Sequence, residues 1–369
     1  MPREIEQHIA VFGQSGSGKT CLLSAFYGLQ FEPDFRNRAG YWINSANSGD
    51  HQRLMHDYLN MKDNQLPPPT RYAHKAFEFD VTVKDLKESP GKLVWHDYPG
   101  EWWTETREGI EQQRKIDAFR DLLQSDVALI LCDGAMLKQN GSKYIKKLIG
   151  DIRSELERIK NELAPNGKLK RFPRVWMICL SKSDLFPDKD VYWFRDEVIK
   201  AAVGELDVLR NAIGEIIGGD EFQSVGDDYL LLSSVKIDPE TGAVVNMKEQ
   251  TGVDLIMPSA FILPAKRLLV WKSRQADRMS LLNSVLSLVK DAMHTMHNMS
   301  YLPVLIDIFR TLEQPADKIL KEAERAETEA RKKMNSVEAF LSALTEKLRN
   351  AASRKVYCTA RDVRGADIE

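Results

Sequence analysis

The chain has 369 residues, with 52 Lys and Arg against 54 Asp and Glu, a formal net charge of -2. Hydrophobic residues make up 43% and charged residues 29%, a globular profile that excludes a disordered chain. The balanced charge excludes whole-surface attraction to nucleic acid or membrane, and at roughly 150 residues per domain the length suggests two domains, or one with large insertions.

The runs His8 to Phe12, Ala76 to Val83, Leu93 to His96, Val127 to Cys132, Val175 to Leu180 and Tyr229 to Leu232 read as strands. Their unalternating apolarity suits strands covered on both faces, as in a mainly parallel sheet. Helical patterns follow Lys19 and cover Thr106 to Gln124, Lys143 to Leu163 and Trp193 to Ile217, so strand and helix alternate as in an α/β doubly wound domain. Phe31 to Thr70 is long for a connection, contains a helical pattern at Gln52 to Asn60 and ends near three prolines. Asp238 to Gly242 reads as a turn between two short strands. From about Gln275 the chain reads as helical, and Ala330, Met334, Val337, Leu341, Leu344, Leu348 and Ala351 form a heptad seam. That seam suits a helix docked on its own domain or an arm for a partner or a second copy.

No apolar run approaches the roughly 20 residues of a membrane span, and the N-terminus lacks the apolar core of a signal peptide. The cysteines Cys21, Cys132, Cys179 and Cys358 are far apart, as in a reducing compartment, so a cytoplasmic location is expected.

Gly13-Gln-Ser-Gly-Ser-Gly-Lys-Thr20 matches G-x-x-x-x-G-K-[ST], between a strand and a helix. Glycines let successive backbone N–H groups turn toward one phosphate, and the following helix adds its positive dipole end. The candidate nucleotide-binding residues here are Gly13, Ser15, Gly16, Ser17, Gly18, Lys19, Thr20 and Cys21. Lys19 is expected on the β/γ-phosphates and the Thr20 hydroxyl on Mg²⁺. The strand Leu93 to His96 runs into Asp97-Tyr-Pro-Gly100. Asp97 can hold Mg²⁺, and Gly100 can bring a backbone N–H to the γ-phosphate.

These two motifs and Ser181-Lys182-Ser183-Asp184 occur in the order found in TRAFAC-class P-loop GTPases, and the chain resembles that group from about Ile5 to Lys236. The string Asp97 to Trp102 is more specifically similar to YcjX-like GTPases and the double-GTPase proteins of bacterial conflict systems. The resemblance implies a Ras-like P-loop NTPase fold, three-layer α/β/α with insertions; an α-helical C-terminal extension is expected from the helical pattern after Gln275, not from the resemblance. Together with that pattern, the resemblance gives a G domain at 1–297 with an enlarged switch I at about 31–70 and leaves 298–369 as a helical extension. It implies that Asp184 reads guanine N1 and N2, that Lys182 lies along the base, and that Ser234 begins the last base element with the Val235 N–H facing O6. Ser181 departs from the family's Asn or Thr.

By the same resemblance a switch I threonine meets Mg²⁺ and γ-phosphate; Thr70, directly after the three prolines, is the leading candidate, ahead of Thr82, which sits inside a strand. Glu101 stands where relatives use Gln to orient the attacking water, and its like charge near the phosphate implies slow intrinsic turnover. The candidate catalytic set is thus Glu101, Lys19 and Thr70, the metal set Thr20, Thr70 and Asp97, and the ligands GTP or GDP with Mg²⁺. Arg107 and Arg114 are candidate cis arginine fingers, while Trp95, Trp102 and Trp103 suit packing or a lid. A protein partner is expected through the switch regions or the C-terminal helices, in a role in defence or stress that only the resemblance suggests. Residues 138–174 carry an excess of seven basic residues, which suits a solvated face, or an acidic partner, nucleic acid or anionic lipid. The alternatives left open are a non-hydrolysing nucleotide-dependent scaffold and a P-loop ATPase or small-molecule kinase.

Overall fold

The computed structural model describes residues 5–68, 75–83, 91–98, 100, 109–163, 169, 175–217, 225–238, 244–246, 250–264, 343–345, 347, 348, 350 and 356–358. Chain order runs β1 (Ile5–Phe12), α1 (Lys19–Leu29), α2 (Pro33–Ala39), β2 (Tyr41–Ser45), α3 (Ser48–Lys62), β3 (Lys75–Val83), β4 (Gly91–Asp97) and α4 (Gly109–Leu123). It continues through β5 (Val127–Asp133), α5 (Gly134–Asn140), α6 (Ser142–Leu163), β6 (Val175–Ser181), α7 (Val191–Ile216), β7 (Asp228–Leu231), β8 (Lys236–Ile237), β9 (Val244–Asn246) and β10 (Val356–Cys358).

Eight strands form one sheet in the order β10-β7-β6-β5-β1-β4-β3-β2, with β4, β1, β5, β6 and β7 mutually parallel. Every residue of β5 and β6 is buried, as expected of central parallel strands covered on both faces. On one face Ile9 and Val11 pack with Leu22 and Phe26 of α1, Leu54 of α3 and Phe261 of a helical segment at 256–264. On the other, Ala10 and Phe12 pack with Phe119 of α4, Ile149 of α6 and Phe194 of α7. This is the expected three-layer α/β architecture. Because the five central strands run in parallel, the loops after all of them open at one edge of the sheet, where α/β folds bind ligands.

Two expectations need correction. β3 is not a doubly covered parallel strand: it pairs antiparallel with both β4 and β2. Its burial alternates, with Phe77, Phe79, Val81 and Val83 inward and Glu78 exposed, the pattern of a sheet covered on one face. The stretch from Phe31 is more than a long loop carrying one short helix. Pro33 opens α2 and Gly40, at φ 69°, closes it, β2 extends the sheet, and the Asn47 side chain caps α3 by accepting from the Gly49 and Asp50 N–H groups. α3 then crosses α1 at Gly28, where a Cβ would meet the Tyr58 ring at 2.0 Å. Only a bare backbone admits that crossing.

The short strands flanking Asp238 pair as β8 and β9. On α6 the buried Ile145, Leu148, Ile149, Ile152, Leu156, Ile159 and Leu163 form one stripe. Several basic residues of the opposite face are paired, Lys147 with Asp151, Arg153 with Glu157 and Glu205, and Lys160 with Glu215. Of the C-terminal seam, Leu344 and Leu348 are described, and both are buried in the same core cluster as β1 and α1. Lys347 pairs with Asp254 at 3.1 Å, and β10 pairs antiparallel with β7. The other seam positions and the expected boundary at 297/298 lie outside the described residues. Among the described residues no helix is long and apolar enough to cross a membrane.

Candidate functional site

β1 delivers the chain into the phosphate loop. Gly16 (φ 80°) and Gly18 (φ 91°) take left-handed conformations that side-chain-bearing residues rarely adopt. Gly13 matters for a different reason, since a Cβ there would meet Ser17 Oγ at 2.5 Å and Leu131 Cβ at 3.2 Å and would displace the Ser17 hydroxyl. The Ser17 hydroxyl is folded under the loop, buried and without a hydrogen-bond partner. Lys19 begins α1, and its ammonium donates to the Gly13 carbonyl at 2.8 Å and the Gln14 carbonyl at 3.1 Å. The side chain therefore folds back over the mouth of the loop, where an incoming phosphate would meet it. Thr20 follows in the first turn of α1.

β4 ends on Asp97, which is fully buried. Three residues later Gly100 lies directly on the phosphate loop, where a Cβ would come within 2.3 Å of Ser15 N and 2.6 Å of Ser15 Cα. A hydroxyl at the start of α1 and a buried carboxylate at the end of β4 are hard oxygen donors of the kind Mg²⁺ takes when it shares ligands with phosphates. The donor set fits that ion. Trp95, one turn of the pleat before, is fully buried and stacks on Phe26 at 5.3 Å, so it is a packing residue.

The end of the site expected to meet the base is built from the ends of β5, β6 and β7. β6 runs into Ser181, and Lys182 turns the chain with a left-handed φ of 52°. Its ammonium donates to the Gly16 carbonyl at 3.0 Å and to Asp133 Oδ2 at 2.8 Å. The Ser181 hydroxyl donates instead to the Cys132 carbonyl on the neighbouring strand, at 3.3 Å. Ser233 Oγ lies 2.7 Å from Asp184 Oδ1 and 2.6 Å from the Val235 carbonyl, and its single proton serves one acceptor at a time. The expected register put Ser234 first in this element, but the hydroxyl that reaches Asp184 is one residue earlier. Ser233 is fixed there by a reciprocal pair of backbone hydrogen bonds with Thr251, both 2.9 Å. Val235 is turned inward, packed with Ala25, Tyr58 and Met61 and against Cys21. Burial pushes the Cys21 thiol up to about 11, partly opposed by the nearby Lys182 charge. That thiol stays protonated and unreactive at neutral pH.

A family model of the Double-GTPase 2 domain matches residues 7–212, more than half of the chain. The chain belongs to the Double-GTPase 2 family. No curated protein matches it. Among solved structures it is similar to the signal recognition particle receptor SRb-GTP/SRX complex of Chaetomium thermophilum, at 14% identity and a TM-score of 0.34, over 64% of this chain and 93% of that one. It is also similar to the GTP-bound GTPase-like domain of S. cerevisiae Ski7, at 16% identity and a TM-score of 0.30, over 65% of this chain and 47% of that one.

In this Double-GTPase 2 chain the sequence motifs thus meet. Gly13 to Cys21, Asp97, Gly100, Lys182 and Asp184 gather at one edge of the sheet. Thr70, Glu101, Trp102, Trp103 and Arg107 lie outside the described residues, and Arg114 is exposed on α4. Two residues escaped the sequence reading. Ser233 stands beside Ser234, and the sequence alone does not distinguish the two. Asp133 sits 49 residues from Lys182 and gave only a weak signal, an Asp-Gly at the end of an apolar run.

Proposed function

We propose that this member of the Double-GTPase 2 family is a Mg²⁺-dependent switch that binds GTP, hydrolyses it slowly and controls a partner protein. One observation carries the reading. Two distant motifs close on consecutive residues of the phosphate loop, Gly100 on Ser15 and Lys182 on Gly16. A nucleotide spanning that loop would therefore be felt at its γ-phosphate by one segment and at its base by the other.

In this reading Thr20 and Asp97, with Thr70, hold Mg²⁺, which neutralises charge on the β- and γ-phosphates when bound. Lys19 leaves its loop carbonyls for phosphate oxygens. Asp184 accepts from guanine N1 and N2, a pair of donors that adenine does not offer. With Ser233 on Asp184, the backbone N–H facing guanine O6 is that of Ser234 rather than Val235. The gain in contacts with the γ-phosphate is what separates the GTP and GDP states, because only differential binding shifts a conformational equilibrium. Slow turnover follows in this reading from a carboxylate at position 101 where relatives use Gln, since a negative charge that orients the attacking water would repel the γ-phosphate. A partner that reads the switch segments or the C-terminal helices, and a role in defence or stress, extend the same reading.

Single-turnover hydrolysis of GTP by the full chain tests it, alongside Lys19→Ala and Glu101→Gln. The expected result is slow release of phosphate by the wild type, none by Lys19→Ala, and faster release by Glu101→Gln. Tight GTP binding with no phosphate release under any condition would favour a non-hydrolysing scaffold instead.

A further inference from the structure

We propose that Asp133 is a positioning residue for the nucleotide, an anionic anchor that holds Lys182 across the phosphate loop; this rests on the guanine-nucleotide reading above. Asp133 closes β5 and is buried, at 5% exposure for the residue as a whole. Its two oxygens are divided between two tasks. Oδ1 accepts the Ala135 N–H at 2.9 Å and caps α5, while Oδ2 accepts the Lys182 ammonium at 2.8 Å. The ammonium in turn reaches the Gly16 carbonyl at 3.0 Å. One side chain on β5 thereby connects α5, the base-reading loop and the phosphate loop.

The backbone leaves little freedom for another arrangement. Asp133 and Ser181 are register partners on β5 and β6. A Cβ on Gly134 would meet the Ser181 carbonyl oxygen at 2.6 Å and that of Lys182 at 2.8 Å, so the two loops lie directly on one another. Lys182 holds a left-handed φ of 52°, which a lysine adopts only when its surroundings impose it. Ser181 points its hydroxyl at Cys132 on the strand rather than at the phosphate loop. With the hydroxyl at position 181 turned to the strand, the carboxylate of Asp133 supplies the lock on Lys182 from the neighbouring strand. Without it, the ammonium would exchange the Gly16 carbonyl for water, and the base end of the site would open more often.

The test is the release rate of fluorescent GDP, with Mg²⁺, from the full chain as wild type, Asp133→Asn, Lys182→Met, the double variant and Asp184→Ala. Asn caps helices as well as Asp does, so Asp133→Asn keeps α5 and the nucleotide-free melting temperature. It sets an amide donor against the ammonium in place of the carboxylate. A charge-assisted hydrogen bond of this kind predicts release about 10- to 100-fold faster. Because Asp133 acts through Lys182, the same substitution in the Lys182→Met background is expected to add less than about twofold. Release at the wild-type rate from Asp133→Asn, with binding lost in Asp184→Ala, would overturn the anchor and leave the base-end reading standing. Equal acceleration in both backgrounds would overturn action through Lys182. Failure of the wild type to bind guanine nucleotide would overturn both.

Discussion

The two ends of the candidate nucleotide site are built on opposite principles. At the base end, charged and hydroxyl side chains cross-link the loops, Asp133 to Lys182 to Gly16, and Asp184 to Ser233. At the phosphate end, Gly100 meets Ser15 by the absence of a side chain, backbone on backbone. The first arrangement is preorganised and would hold GTP and GDP alike. In the second, the two backbones lie so close that a shift of the loop is transmitted directly to the segment that carries Gly100. A switch needs both, a constant grip on the base and a sensitive contact at the γ-phosphate.

The sharpest way to break this contrast is Gly100→Ala. The new methyl would fall 2.3 Å from a backbone nitrogen, and neither backbone segment has a flexible side chain to yield. Displacement of the segment by about 1 Å is expected to lower turnover about 100-fold and to remove any preference for GTP over GDP. Retained preference, measured by competition between the two nucleotides, would show that Gly100 is not the γ-phosphate contact. Ser233→Ala probes the other end more gently. It removes one hydroxyl from Asp184, worth about 1 kcal/mol, so affinity for GTP and GDP is expected to fall together by about 5- to 10-fold. A loss confined to GTP would contradict the division of labour.

The smallest expected effect concerns Cys21, which lies between the two ends. Its pKa is raised to about 11, mainly by burial. Above pH 9 the unfolded chain releases this proton while the folded chain keeps it, so stability falls as pH rises from about 9 toward 11. Melting temperatures from pH 8 to 10.5 should therefore drop less steeply for Cys21→Ser than for the wild type. Identical slopes would show that the thiol titrates normally.

The phosphate loop was legible in the sequence because its chemistry is contained in eight consecutive residues flanked by a strand and a helix. The parallel strands were legible for a similar reason, since burial on both faces writes itself as an unbroken apolar run. β3 was legible as a strand but not as an antiparallel one, although the alternation of Phe77, Phe79, Val81 and Val83 with polar residues carried the information. β2 was not legible: it is five residues long, YWINS, and only pairing with β3 makes it a strand. At the site, the choice between Ser233 and Ser234 depends on backbone pairing with Thr251, which local sequence does not encode. Asp133 was hidden because its partner lies on the next strand, 49 residues on, and its local role as a helix cap accounts for an Asp there without any ligand.

The most direct test of the central claim is equilibrium binding of fluorescent GTP with Mg²⁺, competed by GTP, GDP and ATP, on the wild type and Asp184→Ala. The account predicts that GTP and GDP displace the probe, that ATP does not, and that the discrimination disappears in the variant. Displacement by ATP as readily as by GTP in the wild type would contradict it.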